Sequence, residues 1–245
     1  MSGAEVGIAV AAIAVGSLLK SITGMGVPVV AIPVISLVVG VEEAVIVVAL
    51  PNLLLNLVLA WRERSHLDAT RDLPMLGFTG VVGAVLGTLL LVAVPDEPLV
   101  VLLAVAVLGY VATFVLGVEP TMKPETASRW APGVGLSAGF MQGAVGISGP
   151  LIGTWIHSYR LGRASYILSV TTLFSLAGAA QLAVLLGGSE LAGLWTPTLL
   201  ACVPALATVP VGARLRGRMT SHTFDGLIVG VLALAAVVLV VRAFA

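Results

Sequence analysis

Ser21-Ile22-Thr23-Gly24-Met25-Gly26-Val27-Pro28 interrupts an apolar run that extends from about Val6 to Val39. In water such a polar, Gly/Pro-broken stretch would be an ordinary turn. Inside a bilayer its exposed N–H and C=O groups are tolerated only where protein or a wet cavity satisfies them, so a break at that depth marks a site. The pattern returns as Gly143-Ala144-Val145-Gly146-Ile147-Ser148-Gly149-Pro150, again within a long apolar run. Setting Pro28 on Pro150 also matches Gly24 with Gly146, Met25 with Ile147 and Lys20 with Gln142. One broken helix in each half of a membrane chain points to a transporter with its substrate at the breaks.

The composition calls for a bilayer. Apolar residues make up 59% of the 245 and charged residues 10%, with a mean hydropathy of +1.13, against roughly 45–50% and 25% in soluble domains. At ~20 residues per span the chain accommodates about eight to ten membrane segments with short loops, and no soluble domain of useful size remains. The formal net charge is zero and the basic residues are scattered through short loops, which argues against a nucleic-acid partner. Cys202, the single cysteine, lies in an apolar run and reads as a small core residue; it permits neither an intramolecular disulfide nor a thiolate metal cluster. No basic segment precedes the first apolar run, which continues into the break, so that run is read as a membrane helix and not as a signal peptide.

Apolar runs fall at about 6–22, 27–39, 44–61, 73–94, 98–117, 131–156, 164–187, 191–213 and 224–241. The longest hydrophilic segment holds Pro120, Pro124 and four charges. It divides the chain into an N-terminal membrane repeat (1–117), a linker (118–130) and a C-terminal membrane repeat (131–245). Arg62, Arg64 and Arg71, then Lys123 and Arg129, then Arg160 and Arg163, then Arg214, Arg216 and Arg218 mark four basic loops. Glu42/Glu43, Asp96/Glu97 and Glu190 mark loops without a basic residue. The positive-inside rule puts the basic loops in the cytoplasm. If the second broken run crossed once, the basic loops after it would lie outside; if it enters and returns as a hairpin, all are inside. The expected fold is therefore all-α and polytopic: two inverted repeats, each a broken helical hairpin plus three transmembrane helices, with both termini extracytoplasmic in the cell (inner) membrane. Only Arg242 dissents.

The tips carry the chemistry. Proline suits the first turn of a helix, where no N–H is required, so Pro28 and Pro150 are expected to start the return helices. The unpaired N–H groups there, with the helix dipole, favour negative charge. Gly24, Gly26, Gly146 and Gly149 let backbone approach a ligand, and Ser21, Thr23 and Ser148 add hydroxyl donors. The alternative is that these glycines only let helices pack closely. Lys20 is the one charged residue well inside an apolar run, and no acidic residue sits at comparable depth. An ammonium at the membrane centre costs ~2.5–3.5 kcal/mol on insertion scales. It is either a counter-charge for an anionic substrate or a side chain that snorkels to the cytoplasmic edge. In the next helix Pro51, Asn52 and Asn56 interrupt the apolar pattern, and Thr171, Thr172 and Ser175 hold the matching place in the second half; they line the path or bond between helices. The candidate contacts are thus Lys20, Thr23, Gly24, Gly26, Pro28, Asn52, Gln142, Gly146, Ser148, Gly149, Pro150 and Thr172. Gln181 reads as an interhelical hydrogen bond and the tryptophans as interface anchors, with Trp155 as an alternative cavity residue.

The duplicated Gly-x-Gly/Ser-x-Pro turns, Pro33, Ala44 and Ala164 at the starts of the next helices, and the basic loop Trp61-Arg62-Glu63-Arg64 resemble the TauE/SafE sulfite-exporter family across essentially the whole chain. The family's usual turn is Gly-x-Gly-Gly-Gly; here Gly24-Met25-Gly26-Val27-Pro28 and Gly146-Ile147-Ser148-Gly149-Pro150 replace one or two of its glycines. The resemblance implies transport of a small sulfur- or carboxylate-containing anion such as sulfite or a sulfonate.

Two other classes compete. Gly146-Ile147-Ser148-Gly149 matches the Gly-x-Ser-Gly of rhomboid-like intramembrane serine proteases, but that chemistry needs a histidine at membrane depth within reach of the serine. His66 and His222 lie in basic loops and His157 beside Arg160. An anion channel, with the two tips as a constriction, is the other alternative. No His, Cys or carboxylate cluster of ligand spacing lies in the membrane, so no metal or other cofactor is implied. The expected partners are a small anion, the lipid bilayer and, for a chain this small, a second copy as a homodimer. Without an intramembrane Asp, Glu or His for a proton relay, outward uniport driven by the membrane potential is the expected coupling.

Overall fold

The computed structural model describes residues 1–23, 26–116 and 124–215, and its described elements are all helical. In order they are α1 (Gly3–Thr23), α2 (Val27–Val39), α3 (Val41–Glu63), a 3₁₀ turn (Arg64–Ala69), α4 (Leu73–Ala93), α5 (Asp96–Val115), α6 (Pro124–Val145), α7 (Gly149–Ser158), α8 (Arg163–Gly187) and α9 (Trp195–Leu215). Helices satisfy their backbone internally, which is the requirement for a chain surrounded by hydrocarbon. Five described helices are long and apolar enough to cross a membrane: Gly3–Ile22, Val41–Leu67, Leu73–Ala93, Arg163–Gly187 and Trp195–Gly212. The protein is an all-α polytopic membrane protein. The last expected span, at 224–241, lies outside the described residues. Residues 124–130, expected in the linker, form the first turns of α6, which opens on Pro124, a residue suited to a helix start.

Both broken runs end one helix and begin another. The second run comes back to where it started, because its two ends meet on one carboxylate. Asp72, ahead of α4, accepts a hydrogen bond from Ser128 Oγ in the first turns of α6 (2.9 Å) and one from the hydroxyl of Tyr159 just past α7 (2.8 Å). Arg71 adds an ion pair to Asp72 (3.6 Å) and a hydrogen bond to Ser128 (3.3 Å), and its guanidinium lies 5.4 Å from the centre of the Tyr159 ring. Partial burial and the Asp72 carboxylate hold the Tyr159 phenol well above its usual pKa. All of this lies at the basic end of the helices. At the acidic end, Asp96 accepts from the backbone N–H of Val41 (2.7 Å) and Glu42 (3.3 Å). A carboxylate at the start of α3 complements the partial positive charge there, and it fixes the corner between α2 and α3.

Packing crosses between the halves: α1 lies on α9, α6 on α4, and α3 on α8. The α4–α6 contact is made of backbone. A Cβ on Gly83 would overlap the carbonyl of Leu136, one on Gly87 that of Phe140, one on Gly139 that of Gly80, and one on Gly143 that of Ala84. The residue order along this seam, rising together in both helices, makes α4 and α6 parallel. Small residues that let backbones touch are the usual means of holding helices together in lipid, where no hydrophobic effect drives them. Trp61, Trp130 and Trp195 are exposed, at helix ends, where ring amphipathicity suits the membrane interface.

The seam gives a paired expectation for thermal unfolding in detergent. Gly139→Ala forces the two backbones apart and should cost about 3 kcal/mol, at the upper end for overpacking. Gly133→Ala, on an exposed turn of the same helix with no atom within 4 Å of the added methyl, should be neutral or stabilise by up to about 1 kcal/mol.

Candidate binding site at the two breaks

The first break is shaped by Gly26, whose φ of 146° an L side chain rarely adopts. Its carbonyl accepts from Val30 N–H (3.1 Å) and so begins α2. The N–H groups of Val27 and Val29 therefore have no acceptor within the helix, and Pro28 has none to offer. The second break repeats this with different residues. Gly146 has φ 71° and closes α6 by donating to Gln142 O (3.0 Å); Ser148 O then accepts from Ile152 N–H (3.0 Å) and begins α7. The N–H groups of Gly149 and Leu151 have no acceptor within the helix, and Pro150 again has none to offer. The tips meet: a Cβ on Gly146 would run into the Ile32 side chain of α2, with Val45 of α3 at 3.8 Å.

Between them lies a cavity of about 10 Å³, lined by Lys20, Gly26, Pro28 and Asn52 from the first half and by Gln142, Gly146, Ser148 and Gly149 from the second. That is room for about one water. Lys20 is fully buried, so its side chain does not snorkel to the edge. Its Nζ donates to Asn52 Oδ1 (2.9 Å) and sits 4.9 Å from the centre of the Phe174 ring, within range of a cation–π attraction. It forms no ion pair with a carboxylate among the described residues. Ser148 Oγ donates to Gln142 Oε1 (2.8 Å). Asn52 and Gln142 thus use their oxygens as acceptors and keep their amide N–H groups as donors. The lining presents an ammonium, two amide N–H₂ groups and two helix N-termini. It is rich in donors and has no acidic side chain.

The carbonyl ends of the entering helices are satisfied from α8. Gln181 Nε2 donates to Gln142 O (3.1 Å) and Gly143 O (3.2 Å) at the end of α6, and Arg163 Nη2 donates to Ile22 O (3.3 Å) at the end of α1. Of the candidate residues, eight come together in the cavity. Pro150 starts α7 without joining the lining, and the Thr23 side chain and Gly24 lie outside the described residues. Thr172 is part-exposed and does not join the lining; its neighbour Thr171 bonds back to Ile167 O (2.6 Å). Phe174 lines the site in its stead, together with Val29 and Ile147. A signal for Phe174 was available: the register that sets Pro28 on Pro150 also sets Asn52 on Phe174, although an aromatic in the apolar run 164–187 does not by itself distinguish a core ring from one over a cation. Trp155 turns away, donating from Nε1 to the Tyr159 hydroxyl (3.0 Å). Ser148 has Gln142 as its partner and not the histidine that a serine nucleophile needs; His66 and His157 are exposed, and His222 lies outside the described residues.

A family model described as Sulfite exporter TauE/SafE matches residues 8–239. Neither a curated protein nor a solved structure matches the chain.

The second tip depends on Gln181, which is almost fully buried. Gln181→Leu removes both hydrogen bonds and leaves the Gly143 carbonyl in an apolar surrounding. Unfolding in detergent should show a loss of about 1–3 kcal/mol, the range for an orphaned buried polar group, with helix content unchanged.

Proposed function

The chain belongs to the Sulfite exporter TauE/SafE family, and from that premise we propose that it is a secondary transporter that exports a small anion, sulfite, a sulfonate or a related organosulfur or carboxylate anion, bound between the two breaks. The observation that carries this reading is the Lys20 ammonium, fully buried and held by the neutral Asn52 Oδ1 and Phe174 ring, in a lining without an acidic side chain. An anion there accepts from Lys20, Asn52, Gln142 and the two helix N-termini, each terminus acting as roughly half a positive charge. Its own charge offsets the ~2.5–3.5 kcal/mol cost of an unpaired ammonium at that depth.

Inverted repeats supply the movement. Each hairpin's first helix packs on the second span of the other half, α1 on α9 and α6 on α4, as a two-fold axis in the membrane plane requires. Space for about one water is too little for sulfite, so the anion enters as the tips part toward one face and leaves as they part toward the other. A closed cavity supports alternating access over a permanently open pore. With the basic ends in the cytoplasm and both termini outside, a negative interior drives an anion outward with ~2.3 kcal/mol per charge per 100 mV, and no coupling ion is needed.

Thermal unfolding of the purified protein with sulfite, sulfate, sulfoacetate, acetate and chloride tests the site. At a hundred times its Kd a bound anion stabilises by about 2.7 kcal/mol; at least one should do so for the wild type and none for Lys20→Gln. Stabilisation of neither protein by any anion refutes the reading. In proteoliposomes, flux of that anion should follow an imposed potential and ignore proton and sodium gradients; a requirement for either gradient refutes uniport.

A further inference from the structure

At the basic end, the corner between α7 and α8 opens into a cleft of about 460 Å³, lined by His157, Arg160, Leu161, Arg163 and Tyr166. The cleft is far larger than the cavity at the breaks. Three of its five residues carry or can take a positive charge and none is acidic. His157 and Arg160 are exposed, and no described side chain bonds to either except by the edge-on contact of the His157 and Tyr166 rings (6.3 Å between centres). The Tyr166 hydroxyl reaches Gly153 O on α7 (3.5 Å), which ties the cleft wall to the helix whose other end forms the second tip. Arg163 reaches the other way, to Ile22 O, two residues beyond Lys20. A basic hollow that touches the ends of both broken runs has the right chemistry and the right position to collect anions for the cavity.

We propose that this cleft is a second anion-binding site, a vestibule in which Arg160 and His157 hold the oxyanion group of the transported substrate on the basic side before it passes Arg163 to Lys20. This rests on the anion-transport reading above. Cationic clefts raise the local concentration of an anion and its rate of capture by one to three powers of ten. A lipid phosphate offers the same chemistry as a free oxyanion; the size of the cleft and its link to Ile22 and Gly153 favour the substrate.

The test uses proteoliposomes of phosphatidylcholine alone, with sulfite supplied to one face at a time. Arg160→Asn suits the position, because asparagine tolerates the φ of 53° found there. That variant, alone and with His157→Gln, should raise KM for sulfite from the basic side about tenfold, with the change in KM and not in kcat. KM from the acidic side should stay within twofold, and Arg160→Lys should restore the wild-type value. High salt should bring wild type and variant together, since exposed charges are screened over ~3 Å at 1 M. Unchanged KM on the basic side in folded Arg160→Asn, or in His157→Gln should the first variant fail to fold, overturns the proposal. So does a KM difference that appears only when phosphatidylglycerol is added, which would assign the cleft to a lipid headgroup. Failure of the parent reading looks different: the wild type then carries no sulfite at all, whatever the state of the cleft.

Discussion

A helix that ends inside an apolar run leaves backbone polar groups without partners of their own, and the remaining structure follows from how those groups are satisfied. At the two breaks the problem is divided by direction. Carbonyl ends receive donors from α8, Gln181 for α6 and Arg163 for α1. At the amide ends Val29 and Gly149 line the cavity, and proline reduces the number of open N–H groups by one in each return helix. An unsatisfied backbone group in hydrocarbon costs several kcal/mol, which is why few such groups are left at either break. The ends of the two breaks thus differ: carbonyls of Ile22, Gln142 and Gly143 are bonded from α8, while the first N–H groups of the return helices have no acceptor within their own helix.

The side chains add a positive charge that no carboxylate in the lining cancels. A lysine buried beside a carboxylate would be a structural ion pair, neutral as a unit and indifferent to ligands. Here Lys20 is steadied by the Asn52 amide oxygen and the Phe174 ring face, groups that orient an ammonium without cancelling its charge. Gln142 also lines the cavity, with its oxygen occupied by Ser148. The side-chain amide oxygens of Asn52 and Gln142 are both occupied within the protein, which leaves their N–H₂ groups as donors.

Much of this was legible in the chain because membranes make strong demands on sequence. The spans follow from apolar length, and the breaks from glycine and proline inside runs where neither otherwise belongs. The hairpin character of the second run came from the sign of the loops, with Arg160 and Arg163 on the same side as Arg129; in the structure Ser128 and Tyr159 meet on Asp72. What stayed hidden was whatever depends on rotation about a helix axis. Thr171, Thr172 and Phe174 lie within one turn of α8, and apolar periodicity is too weak in a helix buried by neighbours and lipid to say which of them faces Lys20. The α4–α6 seam was hidden for another reason. Gly83, Gly87, Gly139 and Gly143 form a contact only in pairs across the halves, and neither helix alone announces its partner.

That seam also limits how the cavity can open. Where carbonyls of one helix occupy the space a Cβ would need on the other, as at Gly139 and Gly83, the two backbones can neither tilt nor rotate against each other without collision. The first helix of the second hairpin is thus committed to α4 as one body. Its second helix is not: α7 is ten residues long, and is held at its far end by the Tyr159–Asp72 hydrogen bond and at its near end by Ser148 on Gln142. A movement of α7 relative to α6 that widens the space around Lys20 would bend the chain at Gly146 and Ser148, the residues that separate the two helices. The positive φ of Gly146 lies at that point of bending. The backbone freedom that shapes the tip at rest is the same freedom that a moving tip would use.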